Sequence, residues 1–293
     1  MSTRDTAITT IYCLCDDFLN AVGHREDPQT RMSDAEVMTT ALVASRYFRG
    51  VFEEARDVLA VPTYIPAMLS KSQFNRRLHR LAGRLRQLFD VLAHAWITQA
   101  QQAAEARDAA DAAAEPPVFL LDTFPVACCD NIRIRRSRLY PETATDGAFR
   151  GYIASKKRYF YGLKIVLMTT AAGHPVEVFL APGSFGDVDA LKRLRFDLPE
   201  GATLYGDKAF NDYAIEDEMR EAGLMLSPLR RKNSKRAVPA WVAYVQHRSR
   251  KFIETVGSQL ERLLPKSIHA VTARGFELKV FLFVLAYSIT TAM

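Results

Sequence analysis

Hydrophobic residues recur at helical spacing through the N-terminal third of the chain. The apolar positions from Ile8 to Val22 repeat every three or four residues, which is typical of an amphipathic helix. Ser33 followed by Glu36 forms a capping-box pattern at the start of the next apolar stretch. Because similar spacing continues beyond it, residues 1–98 are predicted to form an all-α domain.

Two helices in this part suggest a DNA-reading motif. A short helix near Phe52–Leu59 precedes a longer one over about Gln73–Ile97, in which Arg76, Arg80 and Arg84 are spaced four residues apart. A short helix, a turn and an arginine-lined helix are typical of a helix-turn-helix-like domain. The same spacing also fits an amphipathic helix with a solvated face, so both interpretations stay open.

The pattern changes after an alanine-rich stretch. Residues 99–116 are rich in Ala, Gln, Asp and Glu, and are predicted to be a linker or a surface helix. From Pro117 onward, β-branched and aromatic runs such as Val118–Leu121 and Tyr159–Thr169 alternate with helical patterns. This alternation favours an α/β fold with a mixed sheet flanked by helices over residues 117–293.

Composition and charge restrict the functional classes. Of the 293 residues, 48% are hydrophobic and 25% charged, as in globular proteins. Residues 1–116 carry 13 basic and 15 acidic side chains, whereas residues 117–293 carry 26 and 18. The basic surplus of the second part favours a polyanionic partner such as nucleic acid. The four cysteines are too few for a disulfide scaffold and lack the spacing of a zinc site.

No targeting or membrane segment is predicted. Asp16 and Asp17 interrupt the only apolar stretch near the N-terminus that a secretory signal could use. The most apolar run, Val280–Tyr287, is shorter than the roughly 20 residues of a membrane span. We therefore expect a cytoplasmic protein with no membrane partner.

Three acidic residues stand apart from those on solvated helix faces. Asp122 ends an apolar run, Asp207 follows a short predicted strand, and Glu254 lies in a long predicted helix. A charge at the end of a buried strand is costly unless it is compensated, and Mg²⁺ compensates carboxylates that meet at one place. Two such ions would serve an in-line displacement at phosphorus. Alternatively, each acid caps a helix or pairs with a neighbouring arginine.

Several stretches, in this order along the chain, resemble one known family. The stretches LLDTFPVACCDNIRIRR, GYIASKKRYFYGLKIVLMTT, PVEVFLAPGSFGDVDAL, LYGDKAFND and RSRKFIETVGSQLERLLPKSIHAVTARGFELKV cover nearly all of residues 118–283. Another stretch, SKSQFNRRLHRL, occupies residues 70–81. Together they resemble bacterial insertion-sequence transposases of the DDE type, in the group labelled nine-eight-two. The resemblance implies a ribonuclease-H-like catalytic domain over residues 117–293.

The resemblance also implies an activity. Asp122, Asp207 and Glu254 would be the catalytic acids and would bind two Mg²⁺ ions, with Mn²⁺ as a substitute. Such a DNA transposase cleaves phosphodiester bonds at the transposon ends and transfers the freed 3′-hydroxyl to target DNA. Its partners would be transposon-end and target DNA, held by a homodimer or larger assembly in the bacterial cytoplasm. The alternatives are a ribonuclease-H-like nuclease without strand transfer and an inactive, transposase-derived DNA-binding protein.

Basic residues are the candidate phosphate contacts for that DNA. They lie in the predicted N-terminal helix, in clusters of the second part and close to the acids. The predicted DNA-binding residues are Arg76, Arg80, Arg84, Arg135, Arg136, Lys156, Lys157, Lys208, Arg230, Arg231, Lys232 and Arg250. A solvated surface remains the alternative interpretation for each cluster.

The chain departs from the family pattern at two positions of the last catalytic helix. Related transposases often carry Tyr and Lys where this sequence has His247 and Glu261. Any DNA contact of that lysine would therefore pass to another cation, such as Arg262 or Lys266. The departure concerns the DNA contact and leaves the three acids in place.

Overall fold

The computed structural model describes residues 3–108, 116–153, 156–231 and 233–293. Within these ranges the helices are α1 (Thr3–Ala21), α2 (Asp34–Tyr47), α3 (Phe52–Leu59), α4 (Lys71–Arg80), α5 (Ala82–Asp108), α6 (Glu142–Thr145), α7 (Asp187–Leu191), α8 (Tyr213–Glu221), α9 (Ala240–Leu263) and α10 (Ala273–Ala292). The strands are β1 (Val118–Cys129), β2 (Arg150–Ile153), β3 (Arg158–Thr170), β4 (Pro175–Pro182), β5 (Thr203–Gly206) and β6 (Met225–Pro228). The chain forms two compact units: a helical unit of Met1–Val91 with Leu260–Met293, and a sheet unit of Leu92–Gln259.

The helical unit is built from amphipathic helices that bury their apolar sides. The capping box at the start of α2 forms as predicted: Glu36 N–H donates to Ser33 Oγ at 3.1 Å, and Ser33 N–H donates to Glu36 Oε2 at 2.6 Å. α10 packs against α2, and a Cβ on the neighbouring Gly50 would lie 2.8 Å from the ring of Phe283. The predicted all-α character of the N-terminal part is confirmed.

The long helix predicted over Gln73–Ile97 is divided in the structure. The division lies at Leu81, whose N–H bonds to the carbonyls of both Arg77 and Leu78. This shared bond tightens the last turn of α4, and α5 begins at the next residue. Apolar spacing alone gave no sign of the division because the stripe continues in phase across it.

The predicted linker is partly helical, since α5 continues through the alanine-rich stretch to Asp108. Positions 109–115 of that stretch lie outside the described residues. Residues 260–293 group with the N-terminal helices and not with the sheet. Compactness does not test whether a segment folds independently, so the predicted domains 1–98 and 117–293 remain a prediction.

α10 is apolar on nearly all sides. By length and composition its 20 residues could span a membrane, although the uninterrupted apolar run, Val280–Tyr287, is shorter than the helix. Within the protein, 61% of the most apolar window of α10 is buried. Phe276, Val280 and Phe283 are among its fully buried side chains. The core helix of a globular protein can have the same length and apolar composition, because burial inside a protein selects the same side chains as a bilayer does.

The described residues of the sheet unit form six strands: five in the order β2–β3–β1–β5–β6, and β4, which pairs with β3. β1 runs antiparallel to β3 and parallel to β5, and β5 runs parallel to β6. β2 was not predicted from the sequence, because the strand has only four residues and is partly polar. The predicted α/β architecture, a mixed sheet flanked by helices after a helical N-terminal part, is confirmed.

A buried ion-pair cluster fixes the segment after β6 against α8. The side chain of Glu216 is 2% exposed and accepts hydrogen bonds from Arg230 Nη2 at 2.9 Å and Arg236 Nη1 at 3.1 Å. Arg236 also donates to Asp217 at 2.7 Å. Two guanidinium groups therefore compensate one carboxylate that has lost nearly all contact with water.

This cluster gives a stability prediction. Glu216→Gln removes the buried negative charge and leaves Arg230 without an ionic partner at this position. We expect the free energy of unfolding to fall by about 3 kcal/mol, as when one partner of a buried ion pair is removed. Urea unfolding measures this change. Glu218→Gln on the exposed side of α8 is the control, and an equal loss in both variants would contradict the role of the buried pair.

Candidate active site

Asp122 and Asp207 lie at the same level of two neighbouring strands. The parallel pairing of β1 and β5 ends with Leu121 opposite Gly206, and each acid is the next residue of its chain segment. The sequence pattern predicted that Asp122 ends its strand, and this prediction is wrong. β1 continues to Cys129 because β3 pairs with it beyond the end of β5.

α9 supplies the third acid to the same place. Asp122, Asp207, Arg250 and Glu254 line one cavity of about 40 Å³ between β1, β5 and α9. Since a single water needs roughly 10–15 Å³ of such volume, the cavity admits a few water-sized atoms. The structure therefore brings together all three acids that the sequence analysis selected.

A glycine allows α9 to approach β1 closely. A Cβ on Gly257, one turn after Glu254, would lie 2.1 Å from Cε1 of the Phe124 ring. Phe124 is buried and follows Asp122 by two residues on β1. The missing side chain of Gly257 thus sets the distance between the helix that carries Glu254 and the strand that carries Asp122.

Arg250 is the cation of the site. Its Nε lies 3.0 Å from Glu254 Oε1 and 3.9 Å from Asp207 Oδ1. All three side chains are substantially exposed, so these ion pairs contribute no more than about 1 kcal/mol each. Asp207 Oδ1 also accepts a hydrogen bond from Lys208 N–H at 2.7 Å. Capping and arginine pairing, the alternative interpretation of these acids, therefore describe part of their local bonding.

Asp122 has different surroundings. Its Oδ1 accepts a hydrogen bond from Thr123 N–H at 2.8 Å, and no residue in the described ranges forms an ion pair with it. Burial raises the pKa of Asp122 to about 7; the Thr123 bond opposes this shift, and the charges of Asp207, Asp187 and Glu254 reinforce it. A carboxyl group without a cation beside other carboxylates is a donor set suited to a divalent ion such as Mg²⁺.

A fourth carboxylate, which was not predicted from the sequence, lies near Asp122. Asp187, the first residue of α7, accepts hydrogen bonds from Thr123 Oγ1 at 3.1 Å and Lys164 Nζ at 3.2 Å. Lys164 Nζ also donates to the carbonyl of Phe185 at 2.8 Å. These bonds connect α7 to β1 and β3 next to Asp122. The only signal in the sequence is an acid after Gly186 at a helix start, which is ordinarily read as a helix cap.

The predicted DNA-binding residues are spread over several elements. Those with exposed side chains are Arg76, Arg80, Arg135, Arg136, Lys156, Lys157, Lys208 and Arg231. Arg84 is half-buried and donates to Gln87 at 2.8 Å, and Arg230 is engaged by Glu216. Lys232 lies outside the described residues. A role in DNA binding remains a prediction for all of them.

The close approach at Gly257 can be tested by packing. Gly257→Ala places a methyl group within the Phe124 ring, and we expect a loss of about 1–3 kcal/mol in the free energy of unfolding. Phe124→Leu combined with Gly257→Ala should recover part of this loss. Gly83→Ala is the matched control, because a Cβ there meets nothing within 4 Å in α5. Equal effects of Gly257→Ala and Gly83→Ala on urea unfolding would contradict the packing argument.

The raised pKa of Asp122 predicts how stability depends on pH. The unfolded chain releases this proton near its ordinary pKa of 3.8, whereas the folded protein keeps it up to about pH 7. In metal-free buffer the stability of the folded state should therefore fall as the pH rises between these values, by about 1.4 kcal/mol for each unit of pKa shift.

Asp122→Asn should remove this pH-dependent loss and make the metal-free protein more stable than the wild type at pH 8. Urea unfolding at pH 5 and pH 8 measures it, with the exposed Asp197→Asn as the matched control. If the pH dependence of Asp122→Asn equals that of the wild type, the carboxyl group does not carry the shift.

Comparison with known proteins identifies the family. A family model described as "Transposase DDE domain" matches residues 113–270, which is more than half of the chain. The structure of piggyBac transposase in a synaptic complex with hairpin DNA aligns with 98% of this chain and 72% of its own, at 11% identity and a TM-score of 0.43, which is too distant to assign a function. No curated protein matches the sequence significantly. The chain belongs to the transposase DDE domain family, whose members are divalent-metal-dependent enzymes acting on DNA.

Proposed function

We propose that this protein is a DNA transposase that cleaves phosphodiester bonds at transposon ends and joins the freed 3′-hydroxyl to target DNA. The observation that carries the proposal is the meeting of Asp122, Asp207 and Glu254 at one small cavity in a chain of this family. Cleavage and joining are both in-line displacements at phosphorus, with water as the nucleophile in one and a 3′-hydroxyl in the other. One site therefore serves both reactions.

Asp122, Asp207 and Glu254 would hold two Mg²⁺ ions, with Mn²⁺ as a substitute. When bound, such ions stabilise the charge on the attacking and leaving oxygens. Asp122 suits this role because its carboxyl group is ionised with difficulty in the absence of a cation. Asp207 and Glu254 now share Arg250 as their cation. Bound metal ions would replace Arg250 beside these two acids, and its guanidinium group would then be released to contact a phosphate of the DNA.

Exposed basic residues of both units would hold the DNA backbone. Each phosphate that they neutralise contributes about −0.9 to the slope of log affinity against log salt concentration. Transposition requires two DNA ends to be held together, so the protein would act as a homodimer or a larger assembly on DNA. We further propose that it works in the bacterial cytoplasm, where the chromosome is accessible.

The proposal is tested with a donor plasmid that carries the DNA flanking the gene for this chain. We expect the wild type with Mg²⁺ to cleave at the ends and to join them to a second plasmid. Asp122→Asn, Asp207→Asn and Glu254→Gln should each reduce both products at least about a thousandfold, equivalent to roughly 4 kcal/mol of transition-state stabilisation. Asp197→Asn is the control.

The outcomes separate the candidate functions. Cleavage without any joined product indicates a nuclease of the same fold. DNA binding without cleavage indicates an inactive, transposase-derived binding protein. Unchanged cleavage by Asp122→Asn would remove the three acids from the catalytic assignment.

A further inference from the structure

Residues 130–160, which run from the end of β1 into the start of β3, carry most of the positive surplus of the chain. Residues 130–160 contain eight basic and three acidic side chains, a surplus of five, while the whole chain has a net charge of +6. Within the segment, Arg150 is paired with Glu142 at 2.5 Å. The remaining basic residues include the exposed Arg133, Arg135 and Arg158. The segment is therefore a local source of positive potential.

The same segment exposes large apolar side chains. Ile132 is 91% exposed, Tyr159 is 68% exposed and Tyr152 is 51% exposed. Apolar side chains gathered on a charged surface mark a place where another molecule binds. Tyrosine is suited to such a place because its ring gives a large contact area at a low cost in conformational entropy.

Tyr152 and Tyr159 form a pair on one face of the β2–β3 hairpin. They are directly opposite each other in the antiparallel register, and their ring centroids are 4.9 Å apart. The other face of the hairpin is anchored: Phe160 is buried, and a Cβ on Gly151 would lie 2.2 Å from its ring. The tyrosine pair therefore stands on a fixed backbone and points away from the core.

A hydrogen bond joins a basic helical turn to this hairpin. Asn131 Nδ2 donates to the carbonyl of Tyr159 at 3.0 Å, and Asn131 begins the 3₁₀ helix Asn131–Arg136. That helix carries Arg133, Arg135 and Arg136 on three of its six positions. The rings and the guanidinium groups consequently belong to one connected part of the sheet unit.

We propose that Tyr152 and Tyr159 form a stacking platform for an unpaired DNA base, with the basic residues of 130–160 holding the adjoining phosphates. The proposal rests on the proposed transposase function, which has DNA as its substrate. Cations alone suffice for duplex DNA, which presents its phosphates outward and keeps its bases stacked inside. Exposed rings beside cations are the combination that binds single strands, because every base offers a face for stacking. A second copy of this chain fits the surface poorly, since two segments of surplus +5 would repel each other.

The platform is remote from the acids. β3 pairs with Asp122 at Leu167, eight residues from Tyr159. At about 3.4 Å per residue, this corresponds to roughly 27 Å along the strand. The base on the platform is therefore not the one at the reacting phosphate. It would lie roughly eight base steps away, at about 3.4 Å per step.

The experiment compares two DNA probes with the full-length protein in buffer without divalent metal. One probe is a blunt 30-base-pair duplex, and the other is the same duplex with a single-stranded extension that contains 2-aminopurine. We expect binding of the extended probe to quench the 2-aminopurine fluorescence. Tyr152→Ala and Tyr159→Ala should each weaken its affinity at least about fivefold, the lower limit for loss of one stacked base.

Three further results are expected of these variants. The affinity for the blunt duplex should change less than twofold, the Tyr→Phe variants should behave as the wild type, and Tyr12→Ala, which truncates an exposed tyrosine of α1, should have no effect. Equal losses on both probes, no loss at all, or Phe variants as weak as the Ala variants would overturn the platform. The platform would also be overturned if the wild type bound the extended probe without quenching the 2-aminopurine fluorescence. This result does not depend on the folding of any variant.

The same tyrosine variants also test two other binding partners for this surface, a membrane and a second copy of the chain. Tyrosine-dependent binding to anionic vesicles without a preference for the extended probe would assign the surface to a membrane. A tyrosine-dependent change of oligomeric state without DNA would assign it to a second copy, and either result overturns the proposal. If Asp122-dependent cleavage persists while the tyrosine variants bind normally, only the platform fails; if the wild type binds neither probe, the proposed transposase function fails as well.

Discussion

The parallel register between β1 and β5 is the constraint on which the candidate site depends. With Leu121 opposite Gly206, the next residue of each segment is an acid, and both acids leave the sheet at one level. A shift by one residue would turn Asp122 to the other face of the sheet, because side chains alternate along a strand. Glu254 joins them from α9, which the missing side chain of Gly257 allows to lie against Phe124.

The electrostatics of the site follow from this arrangement. Arg250 can reach Asp207 and Glu254 from α9, whereas Asp122 is set deeper and has, among the described residues, only the backbone bond from Thr123. Burial and the neighbouring carboxylates hold the pKa of Asp122 near 7, so the folded protein carries a free-energy cost that a bound cation would relieve. The same feature that destabilises the metal-free protein thus favours metal binding.

The positive charges of the chain differ in what they are available to do. Arg230 and Arg236 compensate the buried Glu216, and Arg250 compensates two acids of the site. Other basic residues are exposed and are concentrated in residues 130–160, which also contain the exposed Tyr152 and Tyr159. The surplus of positive charge counted from the sequence therefore overstates the charge available to DNA where arginines are paired with acids. It also does not show how strongly the available positive charge is concentrated in residues 130–160.

The sequence by itself determined the features that depend on neighbours along the chain. The capping box of Ser33 and Glu36, the periods of most helices and strands, and the choice of Asp122, Asp207 and Glu254 as unusual acids all come from short windows or from a family resemblance. Local pattern was not sufficient where a partner strand decides the outcome: β1 continues past Asp122 because β3 pairs with it, and β2 forms only as an addition to β3.

Only the tertiary structure decided which of these residues meet. Asp187 was bonded to Lys164 and Thr123 near Asp122, Arg250 was placed among the acids, and residues 260–293 were grouped with the N-terminal helices. These outcomes depend on register and packing between segments far apart in the chain, where a difference of one residue or one methyl group changes the contact. Local periodicity carries no information of that kind, because it reports only which side of an element is apolar and not which element will cover it.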